Sequence, residues 1–219
     1  MAAAQSAISL VRDGMIVGLG SGSTASFAVR GLGERVAQGL DFVGIPTSEQ
    51  AAAQARALGI PLSSLAEEPN IDITIDGADQ VEEGTLNLVK GHGGALLREK
   101  IVACASKRLV IIVDSSKLVS HLAIDGAVPV EVVPFGWQLT LRRLSNLGAK
   151  GLLRQNPTGA PFRSDGGNYI VDCTFDSGIV AASIADEIDH VVGVVEHGLF
   201  IGLASEVHVA GCDGVRVLT

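Results

Sequence analysis

The order of strands and helices is established early in this chain, by residues 15–50. They read MIVGLGSGSTASFAVRGLGERVAQGLDFVGIPTSEQ. The pattern predicts a short apolar strand at 15–20, a helix at 24–38 and a second apolar strand at 42–46. Residues 47–50 then form a capping pattern that predicts the start of an alanine-rich helix. Short apolar strands that alternate with helices are typical of a parallel sheet covered on both faces, so an α/β fold is expected.

The alternation continues and then changes in the second half of the chain. The next elements are predicted at residues 71–76 (strand), 86–90 (strand), 94–106 (helix) and 109–113 (strand). From residue 130 the order becomes strand, helix, strand, strand, helix, strand, which is the ferredoxin-like order. Those elements are predicted at 130–133, 137–147, 150–154, 169–173, 179–188 and 191–196. Short strands at 199–204, 207–210 and 215–218 are expected to return to the first sheet.

This change of pattern predicts two domains. Residues 1–127 and 199–219 are expected to form a discontinuous domain around a mostly parallel sheet. Residues 128–198 are expected to form a smaller ferredoxin-like α+β domain. A chain of 219 residues is long enough for one large domain or for a main domain with a small companion.

Composition limits the partners of the protein. Hydrophobic residues make up 47% of the chain but aromatic residues only 4%, which predicts an aliphatic core. The net charge of −8 argues against a nucleic-acid partner, because a phosphate backbone needs a basic surface. Cys104, Cys173 and Cys212 are far apart and form no CxxC pair, so neither a disulfide framework nor a zinc knuckle is indicated. The N-terminal residues favour a helix over a signal peptide, and no apolar run has membrane-spanning length, so a cytoplasmic protein without a membrane partner is expected.

Polar, glycine-rich sequence follows four of the predicted strands. These segments are GLGSGST (18–24), DGAD (76–79), KGHGG (90–94) and DSSK (114–117). In an open α/β sheet, ligands bind outside the carboxyl ends of the strands. The four segments together therefore predict one ligand site at that edge of the sheet.

The first of these segments favours an anionic ligand. Glycines allow backbone N–H groups to face an anion, and a helix N-terminus adds partial positive charge. The spacing Gly20-x-Gly22-x-x-Ala25 also fits a dinucleotide-binding fingerprint, but residues 45–48 lack the acidic residue that binds ribose. No lysine follows the last glycine, so the segment is not a Walker A loop. Three interpretations of this segment remain open. Phosphate binding is slightly favoured over an N-capped turn, and dinucleotide binding ranks third.

The acids and cations of the other segments have alternative interpretations. Asp76 and Asp79 fit a carboxylate pair for hydrogen bonding or acid–base chemistry, and equally an Asx turn with a helix cap. Lys90 and Lys117 suit an anionic ligand or a developing oxyanion, but each also fits a surface lysine beside a turn. Glu99 is expected on the solvated face of its helix, because Leu97, Ile101 and Cys104 would form the buried stripe. No histidine has a partner at metal-ligand spacing.

The combined segments resemble a known enzyme family. GLGSGSTA, DGADQVEE, KGHGGALLREK, DSSK, EVVP and SDGGNYIVD are similar, in order and spacing, to type A ribose-5-phosphate isomerases over essentially the whole chain. The resemblance implies a Rossmann-like, mostly parallel sheet that carries a small ferredoxin-like domain. It also implies interconversion of D-ribose 5-phosphate and D-ribulose 5-phosphate through an enediolate, with no metal or organic cofactor, in a homo-oligomer (dimer or tetramer).

The resemblance also implies a role for each candidate residue. Glu99 matches the base that moves a proton between C1 and C2, which the residue pattern alone did not suggest. Asp76 and Asp79 match an acidic pair at the sugar hydroxyls, with Asp76 assisting ring opening or proton transfer between O1 and O2. Lys90 matches the cation beside the oxyanion. The matching substrate-binding positions are Ser21, Gly22, Ser23, Thr24, Gly77, Ala78, Gly91, His92, Gly93 and Lys117.

Two residues depart from the family pattern. His92 stands where similar proteins usually have glycine, which places a bulky, titratable side chain in the predicted substrate-binding turn. Gly166 stands where asparagine is usual, and it is expected to affect a turn of the small domain rather than chemistry.

Two other functions fit parts of the sequence. A sugar-phosphate sensor domain of a transcription regulator uses a similar sheet, but such a regulator needs a DNA-reading module that this acidic chain does not supply. A nicotinamide-dependent oxidoreductase is disfavoured by the missing acidic ribose ligand.

Overall fold

A computed structural model describes residues 1–176 and 179–219. Residues 177 and 178, which fall within the predicted small domain, lie outside the described residues. The helices of the described part of the chain are α1 (Ala2–Ile8), α2 (Gly22–Ala37), α3 (Glu49–Ala57), α4 (Leu96–Cys104), α5 (Trp137–Asn146) and α6 (Ala181–Asp189). Ser115–Lys117 forms a short 3-10 helix.

The strands of the described residues are short and fall into three sheets. In chain order they are β1 (Met15–Leu19), β2 (Phe42–Pro46), β3 (Ile73–Asp76), β4 (Gln80–Glu82), β5 (Leu88–Val89), β6 (Leu109–Asp114), β7 (Leu118–Val119), β8 (Val128–Val132), β9 (Lys150–Leu153), β10 (Tyr169–Thr174), β11 (Val194–His197), β12 (Leu199–Phe200), β13 (Glu206–Gly211) and β14 (Gly214–Leu218).

The largest sheet has the strand order β14-β13-β6-β3-β1-β2. Its strands are parallel except for β14, which pairs antiparallel with β13. This arrangement confirms the predicted α/β fold with a mostly parallel sheet, and it confirms that the last two strands return to that sheet. The expectation that the strand at 199–204 also returns to it was wrong, because Leu199–Phe200 pairs in another sheet. Leu109–Val113 is buried along its whole length, because helices on both faces exclude water from an inner parallel strand.

Register brings the loops of this sheet to one edge. Leu19 pairs with Pro46 and with Ile75, while Asp76 pairs with Ile111. The carboxyl ends of β1, β2, β3 and β6 therefore lie side by side, where ligands collect in open α/β sheets. Helices α1, α2 and α3 pack on the strands of this sheet through alanine, valine and leucine side chains.

A four-stranded antiparallel sheet has the order β11-β8-β10-β9. Numbered along the chain, these strands lie in the order 4-1-3-2, so the predicted ferredoxin-like topology is confirmed. Val128, Val130 and Val132 join the core that includes residues of α5 and α6. Glu131 alternates with them and so faces the opposite side of the sheet.

A third sheet corrects one sequence prediction. Its order is β12-β5-β4-β7, and it includes Leu88–Val89, the strand that precedes the KGHGG segment. The prediction of this strand at 86–90 as a member of the parallel sheet was wrong. Leu88–Val89 pairs instead with Leu199–Phe200, which lies more than 100 residues later, and a local apolar pattern carries no information about such a distant partner.

The described chain divides into two compact units. Unit 1 contains residues 1–78, 98–117 and 203–219, and unit 2 contains residues 79–97 and 118–202. Compactness alone does not define a folding domain, so the domain boundaries at 128 and 198 stay a prediction. No described helix combines the length and the apolar character needed to cross a membrane.

Candidate active site

In unit 1, Asp76 lies at the end of β3 and is 1% exposed. Its Oδ1 atom accepts hydrogen bonds from the backbone N–H groups of Ser21 (3.1 Å) and Gly77 (2.7 Å). Gly20 donates its N–H to the carbonyl of Ile75 at 3.0 Å, which brings the two loops together. A Cβ atom on residue 20 would lie 2.6 Å from Asp76 Cα, so only glycine fits there. The loop after β1 thus positions the carboxylate after β3.

A cluster of hydroxyl groups lies beside this carboxylate. Ser21 Oγ lies 2.7 Å from Thr47 Oγ1 and 2.7 Å from Ser48 Oγ. Thr47 and Ser48 are buried at the end of β2, and Ser48 Oγ accepts the Ala51 N–H at 3.0 Å as the cap of α3. Residues 47–50 were predicted as a helix start and not as part of the site. The signal that could have indicated them is a pair of hydroxyl residues directly after a strand that ends at the predicted site edge.

The first turn of α2 lies at the same edge. Ser21 is the N-cap residue, but its side chain does not cap the helix, because the hydroxyl bonds to Thr47 and Ser48 instead. The first N–H groups of a helix have no partner within the helix, and they carry partial positive charge. Gly22 has a φ of +89°, which a residue with a side chain rarely adopts. The turn from Ser21 to Thr24 can therefore donate to an anionic group.

Glu99 differs from its expected position on the surface. It is only 5% exposed, whereas Ile101 is 48% exposed and Cys104 is exposed. The predicted stripe of Leu97, Ile101 and Cys104 was therefore wrong, because α4 docks through Leu96, Glu99, Val102 and Ala103. A buried carboxylate on the docked face of a helix is energetically costly unless it is compensated, and such groups concentrate at functional sites.

Lys117 ends the 3-10 helix that follows β6, and its side chain is half-buried. At the start of this turn, Asp114 Oδ1 accepts the Ser116 N–H at 2.9 Å and also contacts the Ser116 hydroxyl. The hydrogen bond from the Ser116 side chain, followed by that from its backbone, lowers the pKa of Asp114. The turn therefore holds an ionised carboxylate near Lys117 at the predicted edge.

In unit 2, Asp79 and His92 are linked. Asp79 Oδ2 accepts the backbone N–H of His92 at 3.0 Å, and Asp79 Oδ1 lies 3.4 Å from His92 Nδ1. His92 Nε2 lies 3.1 Å from the carbonyl oxygen of Ala127. The left-handed positions of this turn are Gly91 (φ +105°) and Gly94 (φ +83°), and His92 is not among them. Its backbone therefore does not require glycine, which explains how the turn accommodates this departure from the family pattern.

Lys90 opens the same turn and is 3% exposed. Its backbone N–H donates to the carbonyl of Gly198 at 2.8 Å, and its Nζ atom lies 5.6 Å from the centre of the Phe200 ring. Burying an ammonium group is costly unless other groups compensate its charge. Lys90 is thus a buried cation beside an exposed, glycine-rich turn, and not the surface lysine of the alternative interpretation.

Gly166, the second departure, lies in a turn between Ser164 and Asn168 in unit 2. Glu131 Oε1 accepts from Ser164 Oγ (2.6 Å) and Asn168 Nδ2 (2.9 Å). A Cβ atom at Gly166 would lie 3.4 Å from that same oxygen. The residue therefore belongs to a turn packed over a buried carboxylate.

One group of described residues has the composition of a metal site. Ligand atoms of Asp189, Glu196 and His197 lie within 4.8 Å of one another in unit 2. However, His197 Nδ1 accepts the N–H of Leu199 at 3.2 Å, so the proton of the neutral ring lies on Nε2. Nε2 is 3.2 Å from Asp189 Oδ1 and is therefore a donor to that carboxylate, with no lone pair to offer to a metal.

The predicted site residues are divided between the units. Unit 1 contains Ser21, Gly22, Ser23, Thr24, Asp76, Gly77, Ala78, Glu99 and Lys117, and unit 2 contains Asp79, Lys90, Gly91, His92 and Gly93. Buried carboxylates and a buried ammonium beside glycine-rich loops are typical of catalytic sites. The fold and these residues together define an α/β enzyme.

Comparison with known proteins identifies the family. Residues 43–214 match the profile of ribose 5-phosphate isomerase A (phosphoriboisomerase A). A ribose-5-phosphate isomerase A of Gloeobacter violaceus is 58% identical over 217 residues, which cover 99% of this chain and 94% of that protein. The corresponding protein of Synechococcus sp. (strain JA-3-3Ab) is 53% identical over 218 residues, covering 99% and 95%.

Solved structures agree with the sequence comparison. Ribose 5-phosphate isomerase A from Methanocaldococcus jannaschii has a TM-score of 0.95 and 40% identity, covering 100% of this chain and 96% of that one. A D-ribose-5-phosphate isomerase in complex with phospho-erythronic acid has a TM-score of 0.95 and 38% identity, covering 99% and 95%. The chain therefore belongs to the ribose 5-phosphate isomerase A family.

Proposed function

We propose that this enzyme interconverts D-ribose 5-phosphate and D-ribulose 5-phosphate, and that Glu99 is the base that moves the proton between C1 and C2. Family membership supports the aldose–ketose isomerase reaction. The observation that supports the role of Glu99 is its burial on the docked face of α4, at 5% exposure. Buried carboxylates of this kind are concentrated at catalytic sites, where they act as acids and bases.

The reaction needs two linked proton movements. In the open-chain aldose, the Glu99 carboxylate takes the proton from C2, and the electrons of that bond form the C1–C2 double bond while the carbonyl electrons move to O1. The resulting enediolate receives the proton at C1 from Glu99, and the O2 proton passes to O1. Asp76 is suited to moving the proton from O2 to O1, because two backbone N–H groups fix its carboxylate in one orientation.

Negative charge on the enediolate oxygens needs compensation. Lys90 supplies a buried positive charge for this purpose. In the adjoining turn of Gly91, His92 and Gly93, the Gly93 N–H is the backbone donor, since the His92 N–H is bound to Asp79. One well-placed donor to a developing oxyanion typically contributes about 3–4 kcal/mol to transition-state stabilisation. Asp79 is assigned to the sugar hydroxyl groups, because its carboxylate is half-buried and anchored by the His92 N–H.

Unit 1 contains groups that can donate hydrogen bonds to the phosphate of the substrate. The turn Ser21–Thr24 offers N–H groups at a helix N-terminus, and Lys117 offers a cation after β6. Phospho-erythronic acid, the compound in one related structure, combines a phosphate with a planar carboxylate. The planar, negatively charged carboxylate resembles the planar, negatively charged part of an enediolate, which fits the proposed intermediate and its need for hydrogen-bond donors.

Ketose formation from ribose 5-phosphate tests this proposal. The purified enzyme is assayed in the presence of EDTA, so that the same measurement tests independence from metal ions. Glu99→Gln should lose at least about 100-fold in kcat, because the amide cannot accept the proton. Glu34→Gln, which changes an exposed glutamate of α2, is the matched control.

The outcomes separate the two parts of the proposal. Absence of turnover by the unmodified enzyme, without and with added divalent metal, would refute the reaction. Full activity of Glu99→Gln would refute the role of Glu99 alone. The homo-oligomer implied by the family is tested separately, by light scattering at assay concentration.

A further inference from the structure

Arg154 makes an unusual set of contacts with the turn of the proposed active site. Its Nη1 atom donates to the carbonyl oxygens of Gly91 (3.1 Å) and His92 (2.9 Å). On its other side, Nε donates to Asp172 Oδ2 at 2.9 Å, and Nη2 donates to Asp172 Oδ1. Four of the five guanidinium N–H groups are thus used, and all the partners belong to unit 2.

The surroundings of Arg154 fix the direction of its side chain. Its N–H donates to the carbonyl of Ile170 at 2.8 Å, and its carbonyl accepts the N–H of Phe162 at 2.9 Å. The guanidinium group lies 5.7 Å from the centre of the Phe162 ring, and the side chain is only 14% exposed. A bidentate pair between arginine and a carboxylate has a specific geometry. Arg154 is therefore a rigid connection between the sheet of unit 2 and the turn.

This connection determines where the N–H groups of the turn point. In a trans peptide the C=O and N–H groups point in opposite directions, and these peptide bonds are trans. Because both carbonyl oxygens point to the same Nη1 atom, the N–H groups of His92 and Gly93 both point away from Arg154. The His92 N–H meets Asp79 there. The Gly93 N–H has no hydrogen-bond acceptor within residues 1–176 and 179–219, and it remains available as a donor on the side of Asp79.

We propose that Arg154, held by Asp172, is a positioning residue that aims the Gly93 N–H at the oxyanion of the reaction. This inference rests on the proposed isomerase function. Arg154 touches neither substrate nor reacting atoms; it acts on the turn alone. Lysine cannot replace it, because an ammonium lacks the planar fork that bridges a carboxylate and two carbonyl groups. Asparagine at position 172 would keep the size of the side chain but lose its charge and one acceptor.

Steady-state kinetics of Arg154→Lys and Asp172→Asn test the proposal. Loss of positioning should lower kcat by about 10- to 100-fold and change KM for ribose 5-phosphate by less than about threefold, because the donor matters most in the transition state. Affinity for phospho-erythronic acid should fall in parallel with kcat. Arg163→Lys is the matched control, since this exposed arginine of unit 2 donates to the carbonyl of Gly167 and not to the active-site turn.

A second measurement does not depend on catalysis. Hydrogen exchange of the peptide that contains residues 91–94 should be faster in Arg154→Lys and Asp172→Asn than in the unmodified protein and in Arg163→Lys. Unchanged exchange, or unchanged kcat in folded variants, would overturn the positioning role. A raised KM with unchanged kcat would also overturn it, since it would indicate a contribution to ground-state binding alone. If the unmodified enzyme lacks isomerase activity, the proposed function fails, while hydrogen exchange still decides whether Arg154 orders the turn.

Discussion

Replacing Gly20 by alanine tests whether the close approach of Gly20 positions the Asp76 carboxylate. This effect on activity can be measured separately from the effect on the stability of the fold. A Cβ atom at residue 20 would lie 2.6 Å from Asp76 Cα, where ordinary contacts begin at 3.4 Å. The backbone of Asp76 must therefore move by about 0.8 Å, and a misplacement near 1 Å in an active site lowers the rate by about 100-fold. The substitution Gly20→Ala should reduce kcat by a factor of that order.

The same substitution should also destabilise the protein. Overpacking of this kind costs about 1–3 kcal/mol, which corresponds to a loss of roughly 2–12 °C in Tm for a chain of this size. Gly33→Ala is the matched control, because its Cβ would lie 2.7 Å from Leu58 Cβ and would not meet Asp76. It should also strain the packing of the unit, and it should leave kcat of the folded enzyme close to that of the unmodified protein.

The assay is initial-rate ketose formation from ribose 5-phosphate at 25 °C, with Tm measured by calorimetry on the same preparations. If Gly20→Ala retained the kcat of the unmodified enzyme below its Tm, the close approach of Gly20 would have no role in positioning Asp76. If Gly33→Ala lost as much activity as Gly20→Ala, the loss would come from general destabilisation of the fold. Either result would refute the reasoning.

Two further predictions concern titratable groups. Burial raises the pKa of the Cys173 thiol to about 12, so iodoacetamide at pH 8 should label only Cys104 and Cys212 in the native protein, as read by mass spectrometry; native labelling of Cys173 would contradict this. Burial lowers the pKa of His208, so below about pH 6.5 the unfolded chain binds a proton that the folded chain does not. The free energy of unfolding, measured with urea, should therefore fall between about pH 6.5 and 5, and less steeply in His208→Asn; equal slopes would contradict it.

Local sequence pattern predicted the order of elements well but not all of their partners. The sequence of strand, helix, strand, strand, helix, strand was enough to identify the ferredoxin-like sheet, because that order is specific to few topologies. Leu88–Val89 was assigned to the wrong sheet, since two apolar residues fit any strand and their partner lies beyond residue 198. Strand pairing over such distances depends on tertiary packing, which periodicity does not encode.

The candidate site was likewise predicted only in part from the sequence. Glycine-rich segments after strands indicated its parts, because backbone donors and left-handed turns need glycine. The burial of Glu99 ran against the amphipathic pattern of α4, since a functional carboxylate can occupy the docked face of a helix. Arg154 and Asp172 gave no signal, because Arg154 contacts Gly91 and His92 at separations of 63 and 62 residues, and Asp172 acts only through Arg154. The roles of the site residues stay predictions until the variants are measured.

The place of β13 beside β6 has a consequence for biosynthesis. Leu109 bonds to Ser205, which follows it by 96 residues, and β13 begins immediately afterwards. At ribosomal rates of about 5–20 residues per second, the aliphatic strand β6 is synthesised on the order of 5–20 s before its neighbour β13. An unpaired apolar strand edge is a template for pairing with other chains. Nascent chains of this enzyme should therefore be most prone to aggregation, and most dependent on chaperones, during synthesis of the residues between these two strands.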